Sequence, residues 1–302
     1  MKSILLDMIS ETPWAQNNNI TELASSVLES THLKSDYAKI LRDSFDVLLR
    51  NELDYRQCKR ENGNSESAQL FCALSICKAI FDTESYSELN NVQFFVNIPN
   101  AGNAFPYLMF GLPMYYITKN TEERAAKLGS IGFTVGHEIS HTIIEDGRQL
   151  ILTYFSDEAK DCFQNQYNKT CSEFKEKGCE TYDKQINENG SDILSIQIAY
   201  KMLEEHYGES LFDIYEPLNV TYQQLFFYSA AVSLCDGQEQ DIVRSQDGSL
   251  DEHASHYIRI NAIANHPAFK EAFQCSEDSR MIRSATEQCF IYGKDAPQNK
   301  RH

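Results

Sequence analysis

Apolar residues recur at helical spacing along much of the chain, and this pattern predicts a mainly helical protein. Between residues 128 and 143 they form one face of a helix, and Asp146-Gly147 supplies a signal for its end. That face consists of Leu128, Ile131, Val135, Ile139, Thr142 and Ile143. A second amphipathic helix is predicted from Ile193 to Glu205, with Ile193, Ile196, Ala199, Met202 and Leu203 on its apolar side.

The N-terminal third gives fewer elements. Residues Ile20 to Tyr55 carry apolar positions that suit one or two helices. The segment from Cys58 to Ser67 is polar and rich in Asn and Ser, which predicts a loop or linker. Val92 to Asn97 is predicted to be a strand.

The first of the two central helices contains the HExxH motif His137-Glu138-Ile139-Ser140-His141. Residues four apart lie one turn from each other on the same helix face, so both imidazoles can point at one metal ion. Glu138 can then reach a water on that metal and act as a general base. A chance match is the alternative, but it would usually lie on an exposed polar helix, whereas apolar residues flank this motif. Buried histidines and a buried glutamate need partners, which a metal ion provides.

A catalytic zinc usually has three protein ligands and one open position, so a third ligand is expected elsewhere in the chain. Glu188 is the candidate, with Asp192 four residues further on. One carboxylate could bind the metal while the other accepts a hydrogen bond from a ligand histidine. Without HExxH, the simpler interpretation is an acidic first helical turn favoured by the helix dipole. With HExxH, the ligand interpretation is preferred.

Several separate motifs, in the right order, resemble the neprilysin and endothelin-converting-enzyme family of zinc metallopeptidases. The ExxAD motif of that family is matched with Ser191 in the place of the usual alanine. The resemblance implies a mainly helical, zincin-like α+β fold, in which one helix carries HExxH, a second carries ExxxD and a small sheet supplies an edge strand. The matching stretches are Gly132 to His141 with Asp146-Gly147-Arg148, Glu188 to Asp192, Asp251-Glu252-His253 through Arg259, Ala272 to Cys275, and Cys289 to Tyr292.

The resemblance implies a role for each residue of the metal site. His137, His141 and Glu188 would be the ligands of one zinc ion. Glu138 would be the catalytic base, and Asp192 would orient a ligand histidine. These roles agree with the chemistry, because zinc acidifies water and a neighbouring carboxylate can accept the proton.

The resemblance also implies how a peptide would be held. His253 would stabilise the oxyanion that forms during attack, and Arg259 would hold the substrate backbone. Cleavage is expected on the amino side of hydrophobic residues, and Phe133 and Val232 are candidates to line the pocket for that residue.

The chain departs from the family pattern at two places. Ile144 and Glu145 stand where a pair of aspartates is usual after the second histidine. The family also binds substrate through an Asn-Ala-aromatic edge strand, in the way that added strands bind. Either Asn97 or Asn100 could be the counterpart of that asparagine, and Ala101 follows the second of them.

The 302 residues form a shorter chain than is usual for the resembled family. Residues 1–90 are predicted to be a helical N-terminal segment, a remnant of the region that restricts access to the active site in the family. Residues 91–302 are predicted to be the catalytic domain.

The composition disfavours several classes of partner. A net charge of −17 argues against nucleic acid and anionic membrane surfaces, and peptides are the expected partners. The longest apolar stretches, near Phe105 to Ile117 and Leu225 to Cys235, fall short of a membrane span. Met1 to Pro13 is too interrupted for the apolar region of a signal peptide. No oligomeric state is predicted.

Nine cysteines include no CxxC pair, so a cysteine zinc site is disfavoured. The resemblance implies a Cys162–Cys289 disulfide, and bonds from Cys235 and Cys275 to cysteines of the N-terminal region. The candidate partners there are Cys58, Cys72 and Cys77. Cys171 and Cys179 could close a short local loop.

Four glycosylation sequons and the cysteines fit an extracellular or plasma-membrane-associated protein. The sequons begin at Asn19, Asn168, Asn189 and Asn219. A glycan on Asn189, beside Glu188, would obstruct the metal site.

The sequence therefore predicts a zinc-dependent metalloendopeptidase that hydrolyses internal peptide bonds of oligopeptides. The alternative is an inactive relative that binds peptides or a partner protein. A purely structural zinc site is disfavoured, because a closed site has no use for the glutamate of HExxH.

Overall fold

This computed structural model describes residues 1–16, 20–33, 52–81, 101–104, 107–144, 157–174, 183–234, 253–285 and 288–296. The chain divides into two compact units. The larger holds Met1–His32, Asn103–Leu108 and Thr118–His302, and the smaller holds Leu33–Gly102 and Met109–Ile117. The predicted domain boundary at residues 90 and 91 lies outside the described residues and stays a prediction.

Helices dominate the described residues, and the predicted fold class, mainly helical with small sheets, is confirmed. A π-helical turn, Leu128–Gly132, leads into the HExxH helix, and a 3-10 turn, Gly208–Phe212, follows the ExxxD helix. In chain order the helices are α1 (Lys2–Glu11), α2 (Ile20–Ser30), α3 (52–62), α4 (Glu66–Phe81), α5 (Leu112–Asn120), α6 (Arg124–Lys127), α7 (Phe133–Ile144), α8 (Asp157–Phe174), α9 (Asp183–Tyr207), α10 (Tyr222–Ser233), α11 (His256–Ile263), α12 (Pro267–Phe273) and α13 (Arg280–Ser284). Among these described helices, none is long and apolar enough to cross a membrane.

The strands are short. The first three, β1 (His32–Leu33), β2 (Ala101–Ala104) and β3 (Tyr107–Phe110), form a sheet in the order β1-β3-β2. Strands β4 (Ile214–Tyr215) and β5 (Val220–Thr221) form an antiparallel pair, and Thr221 then caps α10 through a reciprocal capping box with Gln224. The predicted strand from Val92 to Asn97 lies outside the described residues.

Helix α9 is the central packing element of the larger unit. Its interface with α7 is the most extensive between any two described elements, and it also contacts α8 and α11. It begins at Asp183, ahead of the predicted start at Ile193, so Glu188 and Asp192 lie inside the helix and not in its first turn. The predicted amphipathic pattern is wrong for residues 193–200, all of which are buried, because neighbouring helices enclose this stretch on several sides.

Two glycines allow the helices beside α9 to approach it closely. A Cβ on Gly136 of α7 would lie 2.7 Å from the Ser195 hydroxyl, and one on Gly190 of α9 would lie 2.9 Å from the Phe163 ring. Both distances are shorter than side chains tolerate, so larger residues would push the helices apart. The close approach brings the HExxH helix and the ExxxD helix face to face.

The C-terminal half of α9 packs into an aromatic cluster made of Tyr200, Phe226, Phe227, His266 and Phe269. The Tyr200 ring lies 5.7 Å from Phe226, 5.6 Å from Phe227 and 4.4 Å from His266, measured between centroids. Phe226 is 0% exposed and Phe227 is 1% exposed. Buried aromatic rings in contact contribute more than their area alone, so this cluster is a main source of stability.

The predicted Cys162–Cys289 disulfide is confirmed and links α8 to the C-terminal segment. The prediction for Cys275 is wrong, because Cys275 is a free thiol. Two of its proposed partners, Cys58 and Cys72, bond to each other instead. Helices α3 and α4 are joined by only three residues, so the two cysteines that they carry are brought together locally.

The remaining N-terminal predictions have mixed outcomes. The predicted loop from Cys58 to Ser67 is wrong for most of its length, since only residues 63–65 separate α3 from α4. Its polar residues lie instead on exposed helical surface. Cys171 is also disulfide-bonded, whereas Cys179 and Cys235 lie outside the described residues.

The sequons differ in accessibility. Asn168 on α8 and Asn219 in the turn between β4 and β5 are exposed, and Asn19 lies outside the described residues. Asn189 is 2% exposed, and its Nδ2 donates to Gln166 Oε1 at 2.7 Å. A glycan cannot be accommodated there in the folded chain, so the Asn189 sequon is not accessible for glycosylation in this fold.

Candidate metal centre

The structure brings the three predicted metal ligands together. On α7, the Nε2 atoms of His137 and His141 lie 2.9 Å apart. Glu188 faces them from α9, with Oε2 3.0 Å from His137 Nε2 and Oε1 3.4 Å from His141 Nε2. All three side chains are at most 8% exposed. Each helix therefore contributes its side chains from a buried face.

The chemistry and spacing of these donors fit a zinc ion. Zinc bonds of about 2.0 to 2.1 Å in a tetrahedral arrangement place ligand atoms about 3.3 Å from one another. The observed separations of 2.9 to 3.4 Å bracket that value. Glu188 Oε2 is buried and has no hydrogen-bond partner among the described residues, although His137 Nε2 is near. A buried carboxylate oxygen without a hydrogen bond is costly unless a cation lies beside it.

His253 enlarges the set of donors. It precedes α11, and its Nε2 lies 3.3 Å from Glu188 Oε2. Candidate ligand atoms of His137, Glu188 and His253 all lie within 4.8 Å of one another, so this trio could also hold a metal. The His253 side chain is 41% exposed, whereas that of His141 is 8% exposed and lies one turn from His137. Burial and helical spacing favour His141 over the more exposed His253 as the ligand.

The buried charges of this site are strongly coupled. Burial lowers the pKa of His137, but Asp192 and Glu188 raise it more, to about 10. Burial, followed by the charge of His137, lowers the pKa of His141 to about 3. Burial raises the pKa of Glu188, but His137 and His141 together lower it to about 2. These shifts leave the positive charge on His137 and keep His141 neutral, next to ionised carboxylates, and a cation placed between the two rings would satisfy the same groups.

Asp192 supports the far side of His137. Its Oδ1 lies 2.8 Å from His137 Nδ1, and Arg259 donates from Nε to Oδ2 and from Nη2 to Oδ1, each at 2.8 Å. Burial raises the pKa of Asp192, but Arg259 and His137 lower it more, so the group stays ionised. An ionised carboxylate accepts the Nδ1 proton and leaves the Nε2 lone pair for a metal. This arrangement agrees with the predicted orienting role of Asp192.

Arg259 makes a contact that the sequence did not predict. It was expected to hold substrate, and the structure shows its guanidinium in a bidentate pair with the fully buried Asp192. Such a pair is geometrically specific and fixes both groups. Because Arg259 follows Asp192 by 67 residues, no local pattern could reveal the pair.

Glu138 is buried beside the ligands, at 6% exposure. Burial raises the pKa of its carboxyl group to about 7, with Glu188 adding to the rise and His137, His253 and Arg259 opposing it. A general base works best when its pKa lies near the working pH. The environment of Glu138 therefore suits proton transfer near neutrality.

Asn103 is a residue that the sequence analysis missed. From β2, its Nδ2 donates to the backbone oxygen of Glu138 at 2.5 Å and to Thr142 Oγ1 at 2.9 Å. A signal was present, because Asn103-Ala104-Phe105 has the Asn-Ala-aromatic order expected of the substrate strand. The candidates Asn97 and Asn100 lie outside the described residues, and Ala101 is buried at the start of β2.

The two candidate pocket residues occupy very different environments. Phe133 is 2% exposed and belongs to a hydrophobic core cluster, whereas Val232 on α10 is 67% exposed. Neither placement tests a role in substrate binding, so both assignments stay predictions.

Comparison with known proteins gives the family. The model of peptidase family M13 matches residues 99–289, which is more than half of the chain. This chain belongs to peptidase family M13.

Similar M13-type proteins include Neprilysin-3 of Drosophila melanogaster, 27% identical over 203 residues that make up 62% of this chain and 25% of that protein. Neprilysin-1 of Trittame loki is 25% identical over 275 residues, or 80% of this chain and 37% of that protein. The predicted resemblance to neprilysins and endothelin-converting enzymes is confirmed. This M13 chain thus matches 25% of the length of the first relative and 37% of the second.

Solved structures show the same fold. The Haemonchus galactose containing glycoprotein complex matches with a TM-score of 0.60 and 17% identity, over 95% of this chain and 48% of that one. The Mycobacterium tuberculosis zinc metalloprotease ZMP1, solved with an inhibitor, matches with a TM-score of 0.54 and 18% identity, over 93% of this chain and 44% of that one.

Proposed function

We propose that this M13 chain is a zinc-dependent metalloendopeptidase that hydrolyses internal peptide bonds of oligopeptides. One observation carries the proposal. Two imidazoles from one helical turn and a carboxylate from a second helix converge with separations of at most 3.4 Å, and the buried Glu138 stands beside the first imidazole. A structural site would need the ligands but not Glu138.

His137, His141 and Glu188 would hold the ion. When bound, zinc supplies Lewis-acid chemistry, polarising the substrate carbonyl and acidifying water. Glu138 accepts the proton of the attacking water and delivers it to the leaving amine.

The substrate would be held by groups around these ligands. His253, partly exposed and 3.3 Å from Glu188, would donate to the developing oxyanion, a contribution that is typically about 10²- to 10³-fold. Arg259, fixed by Asp192, would present remaining N–H groups of its guanidinium to the peptide backbone. Phe133 and Val232 are proposed to line the pocket for a hydrophobic residue after the cleaved bond.

An extracellular or plasma-membrane-associated location is proposed with this function. The Cys58–Cys72 and Cys162–Cys289 disulfides support it, since disulfides persist mainly in oxidising compartments. The exposed sequons at Asn168 and Asn219 are compatible with that environment.

The function is tested by measuring metal content and peptide cleavage together. The purified chain is expected to contain one zinc ion, and to cleave a mixed peptide library at internal bonds before hydrophobic residues. A chelator should abolish cleavage, and added zinc should restore it. A Glu138→Gln variant of equal zinc content serves as the control for contaminating peptidases.

The second candidate is an inactive relative that binds peptides. It is favoured by one observation, that Ile144 and Glu145 stand where the resembled family usually has a pair of aspartates after the second histidine. Zinc binding with peptide affinity but no cleavage, in wild type and Glu138→Gln alike, would establish this candidate and exclude the peptidase.

A further inference from the structure

The two histidines of the HExxH turn have different groups at their outer nitrogens. The Nδ1 atom of His137 faces the Asp192 carboxylate at 2.8 Å. The Nδ1 atom of His141 lies 3.3 Å from the hydroxyl oxygen of Ser191. Ser191 is 0% exposed, so its hydroxyl cannot use bulk water and has the His141 ring as a partner.

Ser191 lies on the same face of α9 as the residues of the metal site. It follows Glu188 by three residues and precedes Asp192 by one, and residues three or four apart project from one side of a helix. The usual residue at this position of the ExxAD pattern is alanine, which has no hydrogen-bonding atom in its side chain. The serine therefore adds a polar contact that the common pattern lacks.

We propose that Ser191 is a positioning residue for His141. Its hydroxyl oxygen accepts the Nδ1 proton of the imidazole, which fixes the tautomer and turns the Nε2 lone pair toward His137 and Glu188. The inference rests on the proposed function, because the orientation of the His141 ring matters only if its Nε2 atom binds zinc.

The expected effect is smaller than that of the Asp192 contact. Partners of ligand histidines typically change metal affinity by about 10- to 100-fold. A neutral hydroxyl at 3.3 Å makes a weaker hydrogen bond than an ionised carboxylate at 2.8 Å. Loss of the Ser191 hydroxyl should therefore fall near the lower limit, about 10-fold in zinc affinity.

The test compares Ser191→Ala with Ser140→Ala. Ser140 is a matched control, because it is also 0% exposed and precedes His141, yet its hydroxyl donates to the Gly136 backbone oxygen at 2.7 Å. Zinc dissociation constants are measured by competition with a chromogenic chelator. Ser191→Ala should raise the dissociation constant about 10-fold, whereas Ser140→Ala should match wild type. Equal affinities for all three proteins would overturn the proposal.

A second measurement does not depend on metal or on a variant that folds. Long-range proton–nitrogen NMR of the zinc-free wild-type protein, at one fixed pH, reports which ring nitrogen of His141 carries the proton. Protonated Nδ1 supports the proposal, and unprotonated Nδ1 overturns it. If the wild type binds no zinc while His141 shows the expected tautomer, the proposed peptidase function fails and the hydrogen-bond assignment stands.

Discussion

The two halves of helix α9 both pack against neighbouring helices, but they differ in the side chains that they bury. The N-terminal half carries Glu188 and Asp192, two ionised carboxylates surrounded by histidines and Arg259. The C-terminal half carries Tyr200 in the aromatic cluster. Burying charge costs free energy that pairing only partly recovers, whereas burying rings is favourable without further partners. We infer that the N-terminal half mainly serves cation binding and that the C-terminal half mainly stabilises the fold.

Two histidines that pack beside the two halves of α9 show the same contrast. Although burial lowers the pKa of His137, its carboxylate neighbours raise it to about 10. Burial lowers the pKa of His266 to about 3, and that residue stays neutral against Tyr200. The sign of a histidine's pKa shift is therefore decided by the charged groups around it and not by burial alone.

The largest effect is expected from Glu188→Ala, which removes the only carboxylate among the proposed ligands. Zinc affinity should fall by at least about 10³-fold, beyond the roughly 10- to 100-fold that loss of a ligand's hydrogen-bonding partner costs. Competition with a chelator measures the change. Glu205→Ala, on an exposed part of the same helix, is the control. Unchanged affinity in Glu188→Ala would mean that the third ligand is another residue, with His253 the first candidate.

The next largest effect is expected in the aromatic cluster that packs against the C-terminal half of α9. Phe226→Ala should lower the free energy of unfolding by about 3 to 5 kcal/mol, because it leaves a cavity among packed rings. Chemical denaturation of the zinc-free protein measures this loss. Tyr228→Ala, which removes a ring that is 52% exposed on the same helix, should cost much less. Zinc affinity of the folded Phe226→Ala protein should match wild type, and a large loss would contradict the division of roles along α9.

Glu138→Gln separates catalysis from metal binding at the site that faces the N-terminal half of α9. Turnover should fall by about 10²-fold or more, since the amide cannot accept the proton. Zinc content should be retained, because Glu138 is not among the proposed ligands. Peptide cleavage and metal analysis on the same sample check both statements. Full activity in this variant would show that Glu138 is not the general base.

The smallest effect is a pH dependence of stability that comes from His266. Its folded pKa of about 3 lies below the ordinary value of 6.5, so between these values the unfolded chain binds a proton that the folded chain does not. Stability should therefore be complete above pH 6.5 and decline as the pH falls toward 3. The difference between 6.5 and about 3 corresponds to about 5 kcal/mol at roughly 1.4 kcal/mol for each pKa unit. Because the ring is only partly buried, solvent screening reduces the expected decline to about 1 to 3 kcal/mol.

The variant His266→Asn isolates that contribution. Asparagine retains an acceptor for the Ala268 backbone N–H at the start of α12, which His266 Nδ1 accepts in the native protein. The denaturation free energies of the two proteins should converge as the pH is lowered from 6.5 to 4. A constant difference over that interval would show that His266 is not kept neutral by burial.

The parts of the fold that were predictable from sequence have local signals. HExxH combines helical spacing with ligand chemistry, so the approach of His137 to His141 was predictable, and Glu188 followed from the need for a third ligand. The Cys162–Cys289 bond was implied by the family resemblance and is present. In contrast, the burial of residues 193–200 on several sides depends on helices that pack from distant parts of the chain, which periodicity cannot show.

The contacts that were not predictable join distant residues through geometry alone. The hydrogen bonds from Arg259 to Asp192 join residues that are 67 positions apart in the sequence. The hydrogen bond from the Asn103 side chain to the Glu138 backbone oxygen joins residues that are 35 positions apart. The resemblance implied a partner for Cys275, which is a free thiol. Cys58 and Cys72 form a disulfide between two helices joined by a short turn, although the polar sequence there had predicted a loop. Asn189 matches the sequon pattern, yet it is buried in α9 and its side-chain amide donates a hydrogen bond to Gln166.

The central claim is that α7 and α9 hold one divalent cation between them, and a crystal structure of the zinc-loaded protein with anomalous data at the zinc edge tests it most directly. The account predicts one anomalous peak, bonded at about 2.0 to 2.2 Å to Nε2 of His137, Nε2 of His141 and a carboxylate oxygen of Glu188. A peak bonded elsewhere, or a fully loaded protein with no peak between these three side chains, would contradict it.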